Sequence, residues 1–248
     1  MPTALERREE LKAVWEQARG CLKCPQLAEA RTSVVFGSGN ADADLMFVGE
    51  APGKNEDLKG VPFVGQAGKL LDQLLEEVGL ERGDVFINNV LNCRPPGNRD
   101  PHPVEIENCQ DYLMRKIELV EPKVICTLGN FATKLLRGDN TGITRVHGQA
   151  EVRVIGRRAV RLLPIFHPAA ALYTRSMLDT LRADMAKVPE LLALAVPEQP
   201  EADEPPRPPI SGEPGPPRAV AAGGGGQSAE RPSAEASQEA PDAQLGLF

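Results

Sequence analysis

The sequence predicts an α/β fold of three layers, in which helices cover both faces of a central, mainly parallel sheet. Two features of the chain lead to this prediction. Short apolar runs typical of buried strands alternate with longer amphipathic patterns typical of helices. Polar or turn-forming residues follow most of the apolar runs, at the edge where ligands bind to such sheets.

The predicted elements follow from the spacing of the apolar residues. A first helix is predicted over 5–19, where apolar side chains recur at helical intervals. Pro103 suits the first turn of a helix that extends to 120, because its missing N–H would have no partner there. The strands are predicted at 45–48, 85–87, 124–128, 151–155 and 160–166, and the remaining helices at 68–78, 131–136 and about 176–194.

The chain of 248 residues divides by composition into a folded part and a tail. We expect one domain over 1–196, because this length supplies a single core of ordinary size. Residues 197–243 are rich in proline, glycine and glutamate and poor in large apolar side chains, so they predict a disordered tail. The segment 197–248 carries −6 of the formal net charge of −7, which leaves the folded part close to neutral.

Hydropathy and charge exclude two broad classes of protein. No apolar run approaches the roughly 20 residues of a membrane-spanning helix, and the charged N-terminus does not resemble a signal peptide, so we expect a cytoplasmic protein. A nearly neutral folded part is not a general polyanion binder, so any attraction to DNA must come from local basic residues. Six basic residues are candidates for contacts with phosphates: Arg31, Lys54, Lys69, Arg94, Arg99 and Arg175.

The cysteines indicate a metal centre. Cys21 and Cys24 form a C-x2-C pair, while Cys93 and Cys109 stand singly. In a chain without an export signal, metal ligation explains them better than disulfides do. Four thiolates suit either zinc or a [4Fe-4S] cluster, and their spacing does not choose between the two. Cys126 lies inside an apolar run, so we expect it to pack in the core.

Polar or turn-forming groups directly follow the predicted strands. Glu50 follows the first strand, Asn89 lies just after the second, and His167 follows the last. Because parallel strands end at one edge of a sheet, these side chains are candidates for a shared site. Gly129 and Asn130 also follow a strand, but they suit the start of a helix.

Several motifs occur in a fixed order along the folded part. They are Gly49-Glu-Ala-Pro-Gly53, Asn55-Glu-Asp57, Gly60-Val-Pro-Phe-Val-Gly-Gln-Ala-Gly68, Asn89-Val-Leu-Asn-Cys-Arg-Pro-Pro-Gly-Asn-Arg99 and His167-Pro168. Together they resemble the iron-sulfur (type 4) uracil-DNA glycosylases. The resemblance implies the uracil-DNA glycosylase fold, excision of uracil from single- or double-stranded DNA as the first step of base excision repair, and a [4Fe-4S] cluster on the four cysteines outside the core.

Excision of a base requires that its nucleotide be flipped into a pocket that stacks on the base and bonds its edge. Phe63, in a loop flanked by glycines, is suited to stacking. Asn89 offers both a donor and an acceptor, which match O4 and N3–H of uracil but not the edge of cytosine. Ala51 stands where many relatives have glycine, close to the expected position of the base.

Cleavage leaves negative charge on the base and positive charge on the sugar. The resemblance implies that His167 bonds O2 of uracil, and Glu50 and Glu56 are candidates for orienting water and stabilising the sugar cation. Leu172 or Tyr173, just past His167-Pro168, is a candidate wedge for the space that the uracil vacates. Two alternatives from other classes are a non-catalytic DNA-binding protein and a redox sensor of the same fold.

The last five residues form the compact apolar cluster of the tail. This segment, 244–248, resembles the Q-L-x-L-F peptide by which bacterial repair proteins bind the sliding clamp, and the candidate contacts are Gln244, Leu245, Leu247 and Phe248. Such a tether would hold the enzyme near DNA at raised effective concentration. We therefore expect a monomer associated with the bacterial nucleoid, with uracil-containing DNA and the clamp as its partners.

Overall fold

The structure is a computed structural model and describes residues 2–200. A six-stranded sheet lies at its centre. The strands are β1 (Ser38–Gly39), β2 (Leu45–Gly49), β3 (Phe86–Asn89), β4 (Val124–Leu128), β5 (Glu151–Ile155) and β6 (Arg158–Ile165). The helices are α1 (Ala4–Arg19), α2 (Pro25–Ala30), α3 (Lys54–Lys59), α4 (Gln66–Glu77), α5 (Pro103–Val120), α6 (Asn130–Arg137), α7 (Ile143–Val146), α8 (Pro168–Ala171), α9 (Arg175–Met185) and α10 (Val188–Ala193).

The sheet is parallel at its centre and antiparallel at its edges. Its order is β1-β3-β2-β4-β6-β5, and the four inner strands run in the same direction. The edge strands β1 and β5 pair antiparallel with β3 and β6. This arrangement confirms the predicted mainly parallel α/β sheet, with its carboxyl edge formed by the ends of β2, β3, β4 and β6.

Side chains of each inner strand alternate between two cores, as the pleat of a strand requires. Along β2, Met46 and Val48 pack on the side of α1 and α5, whereas Leu45 and Phe47 pack on the side of α4 and α9. All four are fully or almost fully buried. Because helices close both faces, the functional groups of the sheet can emerge only at its edges.

The predicted closing helix over 176–194 is wrong in its continuity, because the structure divides it into α9 and α10. Pro189 lies in the first turn of α10. A proline has no N–H to continue the hydrogen bonds of the preceding helix, and its ring clashes with the turn before it. The chain therefore ends α9 at Met185 and starts again at Val188.

Contacts with the sheet continue past the expected end of the domain at residue 196. The side chain of Gln199 accepts a hydrogen bond from the N–H of Ala159 and donates one to its carbonyl, at 3.1 and 3.0 Å. The predicted clamp peptide and nearly all of the predicted tail lie outside the described residues. None of the helices within residues 2–200 combines the length and the apolar character needed to cross a membrane.

Candidate active site at the carboxyl edge of the sheet

The ends of the inner strands bring Glu50, Asn89 and His167 to one edge. Gly49, the last residue of β2, is paired in register with Asn89, the last residue of β3. Hydrogen bonds between the two segments continue beyond the strands. The N–H of Val90 donates to the carbonyl of Gly49, and the N–H of Leu91 donates to the carbonyl of Glu50. The segment after β6 then adds His167.

Gly49 forms the floor between Asn89 and Phe63. A Cβ atom on Gly49 would overlap Oδ1 of Asn89 and would lie 2.7 Å from Cζ of Phe63. The absence of a side chain at this position therefore lets the amide and the aromatic ring approach the same point. The two groups therefore converge above the end of β2, and we refer to this place as the candidate pocket.

The amide of Asn89 is buried, with a residue exposure of 2%, and its Oδ1 has no hydrogen-bond partner among the described residues. A buried polar atom without a partner costs about 1–3 kcal/mol of stability. A bound ligand is one kind of group that can satisfy such an atom. Oδ1 of the neighbouring Asn88 is also without a partner among the described residues, although Nδ2 of Asn88 donates to the carbonyl of Phe47 and ties the two strands together.

Phe63 adopts an unusual backbone conformation and faces His167. Its φ angle of 52° lies in the left-handed region, which residues with a Cβ atom rarely adopt. The ring is almost fully buried and is stacked on the imidazole of His167, with centroids 5.6 Å apart and planes 28° from parallel. The aromatic face thus belongs to the same pocket as Asn89 and His167.

Hydrogen bonding and burial make His167 a neutral donor. Its Nδ1 accepts the N–H of Ala169 at 3.1 Å, which assigns the proton of the neutral ring to Nε2. Burial lowers the pKa of His167 to about 4, and the charge of Glu56 opposes this change only in part. At neutral pH, Nε2 of His167 is therefore a hydrogen-bond donor on an uncharged ring.

Glu50 is a half-buried carboxyl group with a raised pKa. Burial raises its pKa to about 7, and the negative charge of Asp100 adds to the effect. Protonated and ionised forms are both populated near neutral pH. A carboxyl group poised in this way at a pocket can orient a water molecule or exchange a proton with it.

Glu56 and Ala51, the other predicted contacts, lie beside these groups. Oε1 of Glu56 accepts the N–H groups of Val64 and Gly65, at 3.0 and 2.8 Å. The carboxylate therefore holds the loop that carries Phe63, and a direct contact with the sugar or water stays a prediction. Ala51 is half-buried against the core on the α1 side, and its contact with the base also stays a prediction.

The four cysteines predicted as ligands lie near one another. All four are half-buried free thiols at the ends of α1 and α2, in the loop after β3 and in α5. Burial raises the pKa of Cys93, and the nearby thiols of Cys21 and Cys24 add to the effect. Burial also raises the pKa of Cys109 to about 11, with smaller contributions from Cys93 and Cys24.

Nitrogen donors point at three of the sulfur atoms. Nη1 of Arg31 lies 3.1 Å from Sγ of Cys93, the N–H of Asn92 lies 3.3 Å from Sγ of Cys109, and an amide of Asn108 lies 3.5 Å from Sγ of Cys24. Hydrogen bonds of this kind stabilise thiolates. Within residues 2–200, however, no three His, Cys, Asp or Glu side chains are arranged to hold a metal ion. Cys126 is fully buried in β4, and burial raises its pKa.

The predicted phosphate contacts fall into two groups. Arg31, Arg94 and Arg99 already bond other groups: a cysteine sulfur, the side chain of Asn98 and the carboxylate of Glu105. The other three are exposed, and the described part of the chain gives them no ion-pair partner; they are Lys54, Lys69 and Arg175.

The two candidate wedge residues, Leu172 and Tyr173, follow His167 in the chain and protrude at 37% and 92% exposure.

Two groups that shape the site were missed by the sequence analysis. Asp57 is buried and accepts the N–H groups of Thr32 and Ser33, which anchors α3 to the segment after α2. Arg82 bonds the loop of Phe63 from the opposite side to Glu56. A motif scan cannot find Arg82, because it is an ordinary charged residue in a surface turn until its long-range contacts are known.

Comparison with known proteins identifies the family. A model of the uracil DNA glycosylase superfamily matches residues 36–192, more than half of the chain. The type-4 uracil-DNA glycosylase of Archaeoglobus fulgidus is 46% identical over 188 residues, covering 74% of this chain and 94% of that protein. The type-4 enzyme of Sulfurisphaera tokodaii is also 46% identical over 188 residues, or 74% and 85% of the two chains. That of Thermotoga maritima is 44% identical over 171 residues, or 68% and 87%.

The fold is that of a three-layer α/β protein, and its candidate site lies at the carboxyl edge of the parallel strands, where ligands bind to such sheets. The chain belongs to the uracil DNA glycosylase superfamily, and the relatives named above are type-4 enzymes. The family and the fold predicted from the motifs are thereby confirmed.

Proposed function

We propose that this protein is a DNA glycosylase that hydrolyses the N-glycosidic bond of uracil and leaves an abasic site. The observation that carries the proposal is the buried, unpartnered Oδ1 of Asn89 in a pocket shared with Phe63 and His167. This arrangement offers an amide, an aromatic face and a neutral imidazole donor to one small planar ligand. A flipped base has the shape and the polar edge that such a pocket requires.

Asn89 selects the base by the polarity of its amide. Oδ1 accepts N3–H of uracil and so gains the partner it lacks, while Nδ2 donates to O4. Cytosine presents an acceptor at N3 and a donor at C4, so both contacts would be mismatched. Phe63 supports the base by stacking on its face, for which a buried ring held against Gly49 is preorganised.

His167 and Glu50 act on the two charges that form when the bond breaks. Nε2–H of His167 donates to O2 as negative charge develops on the uracil, and the neutral ring requires no rearrangement to do so. The carboxylate of Glu50 orients the attacking water and stabilises the positive sugar. Glu56 contributes by holding the loop of Phe63.

A [4Fe-4S] cluster on Cys21, Cys24, Cys93 and Cys109 is the cofactor that we propose. Four neighbouring thiols with nitrogen donors at three sulfurs suit a soft, anionic metal group, and bound iron would tie α1 and α2 to α5 and the loop after β3. Serine at any of the four should lower the iron content, while Cys126→Ser should leave it unchanged. Zinc in place of iron in the purified protein would reject the proposed [4Fe-4S] cluster but not the proposed cysteine ligands.

Contact with DNA is proposed through Lys54, Lys69 and Arg175, with Leu172 or Tyr173 as the wedge. The two apolar side chains protrude next to the histidine that would contact the base. If the wedge is correct, Leu172→Ala or Tyr173→Ala should lower excision from duplex DNA more than from single strands. An unchanged ratio of the two rates for both variants would remove the wedge from the proposal.

We further propose that the protein works as a monomer at the bacterial nucleoid and is tethered to the sliding clamp by residues 244–248, which lie outside the described part of the chain. A peptide of the last 15 residues should bind the purified clamp. Changing Leu247 and Phe248 to alanine should abolish that binding and leave excision from free oligonucleotides intact. Failure of the intact tail to bind the clamp would reject the tether.

The decisive experiment for the activity is release of uracil from a defined oligonucleotide by the purified protein. We expect free uracil and an alkali-labile abasic site, and parallel substrates with hypoxanthine or xanthine define the range of bases. Binding without release would instead support a non-catalytic DNA-binding protein. Reversible redox change of the iron centre without any base release would support a redox sensor.

A further inference from the structure

The proposed stacking role of Phe63 depends on its backbone conformation. A left-handed φ at a residue with a side chain is strained and persists only where surrounding contacts determine it. Phe63 lies at the turn of the loop between α3 and α4. Any relaxation of this turn toward an ordinary conformation would swing the ring away from His167.

One guanidinium group holds the carbonyl side of this turn. Nη1 of Arg82 donates to the carbonyl of Phe63 at 3.1 Å, and Nη2 donates to the carbonyl of Pro62. The same Nη1 lies 2.9 Å from Oδ1 of Asp72 in α4, which completes an ion pair. Arg82 itself belongs to the short turn that leads into β3. A single side chain therefore joins the loop, α4 and the start of the strand that carries Asn89.

The other side of the turn is fixed independently. Glu56 accepts the N–H groups of Val64 and Gly65, and the backbone of Gly68 packs so closely on Phe63 that a Cβ there would overlap its carbonyl oxygen. The orientation of the peptide units on both sides of Phe63 is thus set from two directions. On the carbonyl side, the hydrogen bonds come from the charged guanidinium of Arg82.

We propose that Arg82 is a positioning residue for base recognition, which holds Phe63 in its left-handed conformation and so keeps the ring in place for stacking on the flipped base. The proposal rests on the proposed function, because it requires Phe63 to be the stacking surface. Arg82 does not contact the base. Its effect reaches the base only through the peptide groups of Pro62 and Phe63.

The test compares Arg82→Met with Arg182→Met in the full-length protein. Arg182 is a matched control, because its guanidinium also pairs with a carboxylate of α4, and its side-chain hydrogen bonds go to that carboxylate, Glu77. We expect Arg82→Met to lower single-turnover uracil excision by roughly 10- to 100-fold, the size of effect typical of a small misplacement of a substrate-positioning group. Inhibition by free uracil should weaken in parallel, while affinity for undamaged DNA and the rates of Arg182→Met stay near wild type.

A double-variant cycle with Phe63→Ala separates positioning from general damage. In the Phe63→Ala background, Arg82→Met should cause little further loss, because the ring that it positions is gone. An equal loss in both backgrounds, or normal excision and uracil inhibition by Arg82→Met, would overturn the proposal. If Phe63→Ala itself excises uracil normally, the stacking role fails instead, which is a failure of the proposed function.

Asp72→Asn provides the same test if Arg82→Met does not fold. This change removes the charge that anchors the guanidinium but leaves Arg82 and the loop intact. We expect a smaller loss of excision and of uracil inhibition in the same direction, abolished in the Phe63→Ala background. Wild-type behaviour of Asp72→Asn together with an unfolded Arg82→Met would assign Arg82 to folding alone and would overturn the proposal.

Discussion

The imidazole of His167 is stacked beside the ring of Phe63, with 5.6 Å between the centroids and 28° between the planes. The donor of the pocket and its aromatic surface therefore occupy adjacent positions. Because Nδ1 of His167 is engaged by the N–H of Ala169, the remaining Nε2–H is the group available to a base that lies on Phe63. This relationship is the reason for proposing His167 as the donor that acts during bond cleavage.

The first prediction is that His167→Ala slows the chemical step without weakening DNA binding. Loss of one donor to a developing anion lowers a rate by about 10²–10³-fold. Single-turnover excision measures the chemical step, and a gel-shift titration with abasic-site DNA measures binding. His102→Ala removes an exposed histidine at the start of α5 and serves as the control. A loss confined to binding would place His167 at the DNA backbone.

The second prediction concerns the pH dependence of excision. In the proposed mechanism Glu50 must be ionised to orient water, and its pKa is raised to about 7 by burial and by Asp100. The single-turnover rate should therefore rise with pH through about 7 and become constant above about 8. His167 stays neutral throughout this range, because its pKa is lowered to about 4. Glu50→Gln should lower the rate by about 10²-fold and remove most of the rise. A profile that is unchanged in shape would exclude Glu50 as the titrating group.

The same carboxyl group predicts a change in stability with pH. The pKa of Glu50 is about 7 in the folded state and about 4.5 for an ordinary exposed glutamate, so between these pH values the folded state holds a proton that the unfolded state has released. The contribution of Glu50 is thus fully present below about 4.5 and is lost as the pH rises through about 7. The free energy of unfolding of Glu50→Gln, compared with that of wild type, should therefore be more favourable to the variant at pH 8 than at pH 5.

Urea unfolding of both proteins at the two pH values measures this difference. The opposite titration of His167, whose folded pKa is lowered, makes stability rise between about pH 4 and 6.5 in both proteins. This contribution cancels in the comparison of the variant with wild type. A difference in free energy of unfolding that does not vary with pH would show that Glu50 titrates normally.

The third residue to test is Asn89, whose amide we propose as the group that selects uracil. Asn89→Asp removes the donor to O4 of uracil and leaves a carboxylate that accepts equally well from the amino group of cytosine. Leaving a polar group unpaired costs about 1–3 kcal/mol, so uracil excision should fall by roughly 5- to 150-fold and the preference over cytosine should shrink. Competition between uracil and cytosine oligonucleotides measures the preference. A retained preference would assign recognition to another group.

The fold could be predicted because its signals are local and repeated. Apolar runs such as 124–128 predicted buried strands. These runs alternate with helical patterns, and this alternation predicted both the order of the elements and the parallel sheet. The short elements α2, α3, α7, α8 and β1 were missed, since four to six helical residues or a two-residue bridge give no periodic pattern. Pro189 was visible in the sequence, but its position in the first turn of a new helix was not recognised.

The pocket could be predicted only in part, because its shape depends on contacts between distant residues. The motif residues Asn89 and His167 follow strands and could be proposed from that position alone. The left-handed turn at Phe63 could not, since it is set by Arg82, a residue 19 positions away along the chain. Likewise, Glu56 shows its contact with the loop only after α3 and the loop have folded together.

The role of Gly49 as the floor of the pocket gives the last prediction. Gly49→Ala adds a single methyl group, and the backbone at this position does not require glycine, because no left-handed φ is present. The added Cβ would overlap Oδ1 of Asn89 and would press on the ring of Phe63 at 2.7 Å. The amide and the ring must both move, and the variant should lose excision by roughly 100-fold, as expected for misplaced substrate-binding groups.

Gly83→Ala is the matched control, since a Cβ there would meet no atom within 4 Å. We expect near wild-type excision from that variant. Inhibition by free uracil should weaken in Gly49→Ala and not in Gly83→Ala, because only the first methyl group displaces the amide of Asn89 and the ring of Phe63. Overpacking also lowers stability by about 1–3 kcal/mol, so the thermal midpoint of Gly49→Ala must be measured and the assay run well below it. Normal excision by a folded Gly49→Ala protein would show that the base does not lie between Asn89 and Phe63, and it would move the recognition site elsewhere along the carboxyl edge.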